Sequence, residues 1–191
     1  MTDIILKSTG ETLYMVFFST LLALVIGGPL GIVLYLTKEE GLKENKYTFR
    51  ILDIIINVLR SIPFIILMIL VFPLSKIIVG KSIGSTAAII PLSISAAPFV
   101  ARMFESSFNN VDIGIIEAAL SMGSSNSEII KKVLIPEAMP SLINDITMTI
   151  INLIGYSAMA GSIGGGGLGD MAVRYGLHDY KFEVLISAVI L

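Results

Sequence analysis

The sequence predicts an all-α, polytopic membrane protein built as a helical bundle. Three observations carry this. Of 191 residues, 54% are hydrophobic and 15% charged, against about 25% charged in soluble domains. Mean hydropathy is +0.88. Several apolar runs reach the roughly 20 residues that a helix needs to cross a hydrocarbon core about 30 Å thick. The net charge of −2 argues against a nucleic-acid partner, since phosphate binding needs a basic surplus. The absence of Cys and the single histidine, His178, exclude disulfides, thiolate chemistry and any multi-His metal site. The opening "MTDIILKSTGE" has no charged n-region followed by an apolar stretch and a small-residue cleavage site, so no removable signal peptide is expected.

Four stretches qualify as spans. The first, Thr12–Leu36, carries no charge. The second is Ser61–Gly80, with Lys76 near its far end. The third is Gly84–Met103, interrupted by Pro91 and Pro98. The fourth is Ser141–Ala160, with Asn144 and Asp145 early in it, where a position near the membrane surface would leave them solvated. A fifth apolar run, "FEVLISAVIL" from Phe182, reaches the last residue without a polar stop, and the expectation is a fifth span cut short by a missing C-terminal end. The whole of 1–191 is expected to be one transmembrane domain. In the first span Gly27 and Gly31 form a small-xxx-small pair beside Pro29, the pattern of close helix packing.

Lys and Arg in short links set the orientation. Lys38, Lys43, Lys46 and Arg50 follow the first span, and Arg102, Lys131 and Lys132 lie on the same side, which is therefore cytoplasmic. Lys7, Lys76, Lys81, Arg174 and Lys181 fall on the other side. The N-terminus is expected outside. Between the first two spans, Arg50, Asp53, Asn57 and Arg60 recur at helical spacing on one face of "RILDIIINVLR". Two readings fit: a lead-in helix at the membrane surface with Arg60 snorkelling to water, or a polar face lining a cavity between helices.

The least lipid-like passage is "EAALSMGSSNSEIIKKVLIPEAMP", residues 117–140. Asp112 is placed to cap a helix from Ile113, whose Ile113, Ile116 and Leu120 share a face apart from Glu117 and Ser121. Gly123 is a left-handed stop. Ser125 to Glu128 reads as a capping box opening a second helix. Pro136 is expected to end it, and Pro140 to open the fourth span. Both helices are too short to stand alone in water. They must dock, on the chain's own membrane ends or on a separate soluble protein, with Ala118 and Ala119 permitting close approach.

The same passage resembles the cytoplasmic signature of ABC importer permeases: Glu-Ala-Ala, three residues, Gly, nine residues, then Ile-x-Leu-Pro. Glu117, Ala118, Ala119, Gly123 and Pro136 match, while Val133 and Ile135 stand where Ile and Leu are usual. The resemblance runs along essentially the whole chain. "NVLRSIPFIIL", "AAIIPLSISAAPFVARM" and "GYSAMAGSIGGGGLGD" are similar to methionine-importer permeases. It implies a type I ABC importer permease fold of five spans in the bacterial cytoplasmic membrane. It also implies a homodimer, with coupling helices at about 112–136 seated on two ATPase subunits and an extracytoplasmic binding lipoprotein delivering methionine. ATP and Mg would be used by the ATPase partner, with no cofactor bound by this chain. The classes weighed against this are a gradient-driven secondary transporter or channel, an ABC permease for another amino acid, and an intramembrane hydrolase. The last would need Ser157 and His178 as a pair and lacks a nucleophile-elbow pattern.

Three further expectations follow from the residues. "GGGGLGD", Gly164 to Asp170, lacks the Lys-Ser/Thr of a phosphate loop and reads as a flexible outer turn. In the third span Ser93, Ser95 and Pro98 offer hydroxyls and a freed carbonyl, which suits a pathway wall as well as core packing. Met159 stands among the small residues Ser157, Ala158, Ala160 and Gly161, where a flexible side chain is placed to plug an outer gate.

Overall fold

The computed structural model describes residues 2–191. Among these, every regular element is helical: α1 (Thr2–Thr37), α2 (Lys46–Ser61), α3 (Phe64–Val79), α4 (Ser85–Asn109), α5 (Ile113–Ser121), α6 (Asn126–Ile129), α7 (Ile135–Ala160), α8 (Gly167–Met171) and α9 (Phe182–Ile190). Three helical stretches are long and apolar enough to cross a membrane, or four if α2 and α3 count as one broken span.

Contacts divide the chain into two compact units. One comprises the chain up to Ala23, Ser61–Ala96 and Thr149–Leu191. Its core holds Met15, Leu67, Met68, Leu92, Leu153 and Met171, and the rings of Phe64 on α3 and Tyr156 on α7 stack with centroids 4.6 Å apart. The other comprises Leu24–Arg60 and Ala97–Met148. Its core gathers Tyr35, Phe108, Ile116, Ala119, Ile129, Leu134, Ala138 and Leu142. Here α1 lies directly against α4. A Cβ on Gly27 would stand 2.4 Å from the Ala97 carbonyl, and one on Gly31 2.8 Å from that of Ala101. The small-xxx-small pair therefore does what its spacing predicts. Bulky apolar side chains such as Leu6, Phe17, Leu70 and Ile77 point outward, as befits a chain solvated by lipid tails.

The structure corrects several boundaries. α1 begins at Thr2, well before Thr12. Its 36 residues extend about 54 Å at roughly 1.5 Å per residue, more than a bilayer core. The polar first turns, with Lys7 and Glu11 paired at 3.9 Å, stay helical beyond the apolar run. The second stretch is a single helix, α3, and falls within the expected bounds. α3 spans only 16 residues from the cap at Pro63 to the left-handed Gly80, and the amphipathic segment before it is the separate helix α2. The fourth span starts earlier than Ser141, because Pro136 does not end a helix and Pro140 does not open one. α6 continues through a π-helical turn, Ile130–Leu134, into α7 without a break. Proline at 136 would press its ring on the carbonyl four residues back in a regular helix. The wider π turn just before it gives that ring room.

The glycine-rich segment is packed rather than flexible. After a π-helical turn at Gly161–Gly165 the chain bends at Ile163 and Gly164 and enters α8, then a second π-helical stretch, Ala172–His178. Gly161, Gly165, Gly167 and Gly169 are buried. A Cβ on Gly169 would stand 2.2 Å from the Ala158 carbonyl, so only glycine lets this hairpin close.

Candidate functional site: the short-helix hairpin and its supports

The hairpin of α5 and α6 is assembled by local rules. Asp112 caps α5, its side chain accepting from the Gly114 N–H at 2.8 Å. Gly123 has φ +80, in the left-handed region that glycine enters without strain, and its N–H donates to the Leu120 carbonyl. Ser125 and Glu128 form the reciprocal capping box. Two backbone and hydroxyl hydrogen bonds from Ser125, joined by Lys132 at 3.1 Å, hold the Glu128 carboxyl down to about 2.

Packing fixes which face is free. Ile116 and Ala119 are buried against Tyr35 and Phe108, whereas Ile113 and Leu120 are exposed. The docking face of α5 is therefore Ile116/Ala119, not the Ile113–Ile116–Leu120 stripe that spacing alone suggested. Glu117, Ala118, Gly123 and Pro136 are exposed. Of the Ala118–Ala119 pair, only Ala119 makes the close approach. A cleft of about 390 Å³ lies beside the hairpin, lined by Tyr35, Lys38, Glu40, Ile113, Glu117 and Leu120.

Two polar networks support the hairpin, and both link residues remote in sequence. Ser107 on α4 donates to Asp145 Oδ2 on α7 at 2.6 Å and lies 2.8 Å from Ser141 Oγ. A hydroxyl has one proton, so Ser141 donates in turn to Ser107. Asp145 is only 5% exposed, which replaces the expectation of a solvated carboxylate near the surface. Arg102 on α4 forks between helices: one nitrogen donates to Glu105 at 2.7 Å, the other to Asp53 and, at 3.2 Å, to Asn57 on α2. The Asp53–Asn57 face thus answers to a half-buried partner on α4, while Arg50 and Arg60 on the same face stay exposed. Among these partners Asp53 and Asn57 carried a signal in the sequence, as a polar face at helical spacing, and Asp145 did so as a carboxylate inside an apolar run. Ser107, Ser141 and Glu105 carried none.

The residues singled out further along the chain do not converge on one catalytic arrangement. Ser93 and Ser157 are buried and donate to backbone carbonyls of their own helices, those of Ile89 and Ile154, each at 2.7 Å. Ser95 is half-buried, Pro98 buried and Met159 half-exposed. Among the described residues no cluster of three or more His, Asp or Glu is placed to hold a metal.

The chain is all-helical, with membrane-length helices interrupted by a capped hairpin that exposes Glu117 and Gly123. The family model of binding-protein-dependent transport system inner membrane components matches residues 27–189, and the chain belongs to that family. It is 48% identical over 190 residues to the probable D-methionine transport system permease protein MetI of Vibrio cholerae, covering 100% of this chain and 84% of that one. It is 46% identical over 158 residues to the D-methionine transport system permease protein MetI of Escherichia coli K12, covering 83% and 73%. Among solved structures, a chain of the inward-facing MetNI methionine ABC transporter superposes with a TM-score of 0.98 at 43% identity, covering 100% of this chain and 88% of that one. An amino acid ABC transporter crystallised with histidines superposes with a TM-score of 0.79 at 22% identity, covering 99% and 86%, a likeness of fold. The chain is accordingly a multi-pass, inner-membrane component of a binding-protein-dependent transport system.

Proposed function

We propose that this chain is the permease subunit of an ATP-driven importer of methionine and close analogues. The observation that carries it is the hairpin itself: two short helices joined at a positive-φ glycine, with Glu117 exposed beside a cleft. Near-half identity along the chain to D-methionine permeases supports the substrate. Two ATPase subunits would seat on Glu117 to Pro136 and use ATP and Mg, while this chain binds no cofactor. A second copy of the chain would complete the pathway, and an extracytoplasmic binding lipoprotein would load it. The N-terminus would lie outside, with α9 in a fifth span of a single transmembrane domain.

The chemistry asked of these residues is mechanical. A push on α5 reaches the membrane because Ile116 and Ala119 are buried against Tyr35 and Phe108, on α1 and α4. Ser107 and Asp145 tie α4 to α7, so α4 and α7 receive the push together. At the other side, Met159 would plug the outer gate, with Ser157, Ser93, Ser95 and Pro98 along the pathway wall. Arg60 would sit at the inner interface, so that Arg60→Lys leaves transport nearly unchanged.

The test is ligand-stimulated hydrolysis. The full-length permease copurified with its ATPase and binding protein should hydrolyse ATP faster with methionine than with other amino acids. Stimulation by a different amino acid alone would favour the permease of another substrate. Failure of any ATPase to copurify, with intact folding, would favour a gradient-driven carrier.

A further inference from the structure

We propose that Glu11, seconded by Thr12, is a positioning residue for the outer end of α7. It clamps the strap Gly164–Leu168 onto α1 and so holds the segment that carries Met159. This rests on the reading of Met159 as a gate element, and the geometry behind it lies wholly within one compact unit.

The first turn of α8 opens at Gly167, and its leading N–H groups have no partner inside so short a helix. The residue in the capping position, Gly166, has no side chain to supply one. The acceptors come instead from α1, 156 residues earlier in the chain. Glu11 Oε2 accepts from the Gly167 N–H and Thr12 Oγ1 from the Leu168 N–H, each at 2.9 Å. The other Glu11 oxygen pairs with Lys7 at 3.9 Å, so the two carboxylate oxygens are divided between strap and helix.

The strap is shaped for this contact. Gly164, Gly166 and Gly167 have φ of +96, +78 and +77. A Cβ on Gly166 would stand 2.8 Å from Glu11 Oε2, and one on Gly167 2.6 Å from Thr12 Oγ1. Gly164 accepts from the Gly84 N–H at 2.9 Å, which ties the strap to the start of α4 as well. From the strap the contact passes to α7. A Cβ on Gly161 would meet the Asp170 nitrogen at 2.5 Å, and one on Gly169 the Ala158 carbonyl at 2.2 Å. Ser162 Oγ donates to the Met159 carbonyl at 2.7 Å. The strap is thus joined by close contacts to the backbone around Met159.

The experiment pairs two readouts on the full permease–ATPase complex in proteoliposomes. Hydrogen–deuterium exchange of the peptide covering residues 164–169 reads the clamp directly, without substrate. Basal ATP hydrolysis, also without substrate, reads closure of the gate, and wild-type stimulation by methionine is recorded separately as the test of the substrate reading. In Glu11→Ala the strap should exchange about tenfold faster, from loss of one charge-assisted hydrogen bond, and basal hydrolysis should rise several-fold. Glu11→Gln keeps an acceptor for Gly167 and should restore both. Should Glu11→Ala fail to assemble, Thr12→Val, which removes the acceptor for Leu168 at nearly constant volume, should show the same paired change. Unaltered strap exchange in the assembled variants would overturn the clamp. Faster exchange with unaltered basal hydrolysis would overturn its link to the gate.

Discussion

Ser107 Oγ on α4 donates a 2.6 Å hydrogen bond to Asp145 Oδ2 on α7, joining the helix that leads into the short-helix hairpin to the helix that leads out of it. Both residues are buried, at 3% and 5% exposure. A polar tie between membrane helices contributes roughly 1 kcal/mol. Ser107→Ala should therefore lower the melting temperature in detergent by about 2–4 °C, and Ser107→Thr, which keeps the hydroxyl, by less. An Ala variant that melts with wild type would remove this tie from the account.

Gly123 offers a cleaner test of the hairpin. Its φ is +80, yet nothing lies within 4 Å of a Cβ built there. A substitution is strained by the backbone alone, not by crowding. Gly123→Val should strain the turn by about 1 kcal/mol or more and depress transport while the permease still reaches the membrane. Gly123→Asn, which tolerates the left-handed region, should lie between the two. Unimpaired transport and ATPase docking in the Val variant would count against force transmission through this turn.

Arg102 ties α2 to α4 by reaching Asp53, Asn57 and Glu105 at once. Lysine has one compact charge and cannot fork between two helices. Arg102→Lys should retain the Glu105 contact and release α2, with a loss of roughly 1–2 kcal/mol for a pair that is partly screened. Protease accessibility of α2 measures this. Equal protection in the Lys variant and in wild type would show that the fork is dispensable.

The Ser125–Glu128 cap has a defined pH window. The folded Glu128 carboxyl titrates at about 2, below the usual carboxylate range. Its folded pKa is depressed, so its contribution is fully present above the ordinary value and is lost as pH falls toward about 2. The capping box should therefore be constant from neutrality to about pH 5, and disappear only under strong acid. A carbon-13 titration of the Glu128 carboxyl in the intact permease checks this. A midpoint in the ordinary range would show that the cap does not hold the proton off.

What was legible in the sequence and what was not divides by distance along the chain. Asp112, Gly123 and the Ser125–Glu128 box follow from rules acting over two to four residues, and each stands where those rules place it. Gly27 and Gly31 were legible because a glycine pair at helical spacing has few other uses. The partners of Arg102 and Asp145 lie 49 and 38 residues away, and no local pattern marks a serine at 107 as the donor to a buried carboxylate. The helix running through Pro136 was hidden for a different reason. A π turn relieves the proline clash, and no residue type announces a π turn. The glycine run misled in the opposite sense, since glycine signals freedom in the sequence but tight approach to Ala158, Glu11 and Thr12 in the fold.

The central claim is that this chain conducts methionine when a partner ATPase hydrolyses ATP. The most direct measurement is uptake of radiolabelled methionine into proteoliposomes holding the full-length permease and its ATPase, with binding protein outside and ATP and Mg supplied on the cytoplasmic side. Uptake should require ATP, persist when ionophores collapse every ion gradient, and fall to background in Gly123→Val. Uptake that needs a gradient and ignores ATP would contradict the claim.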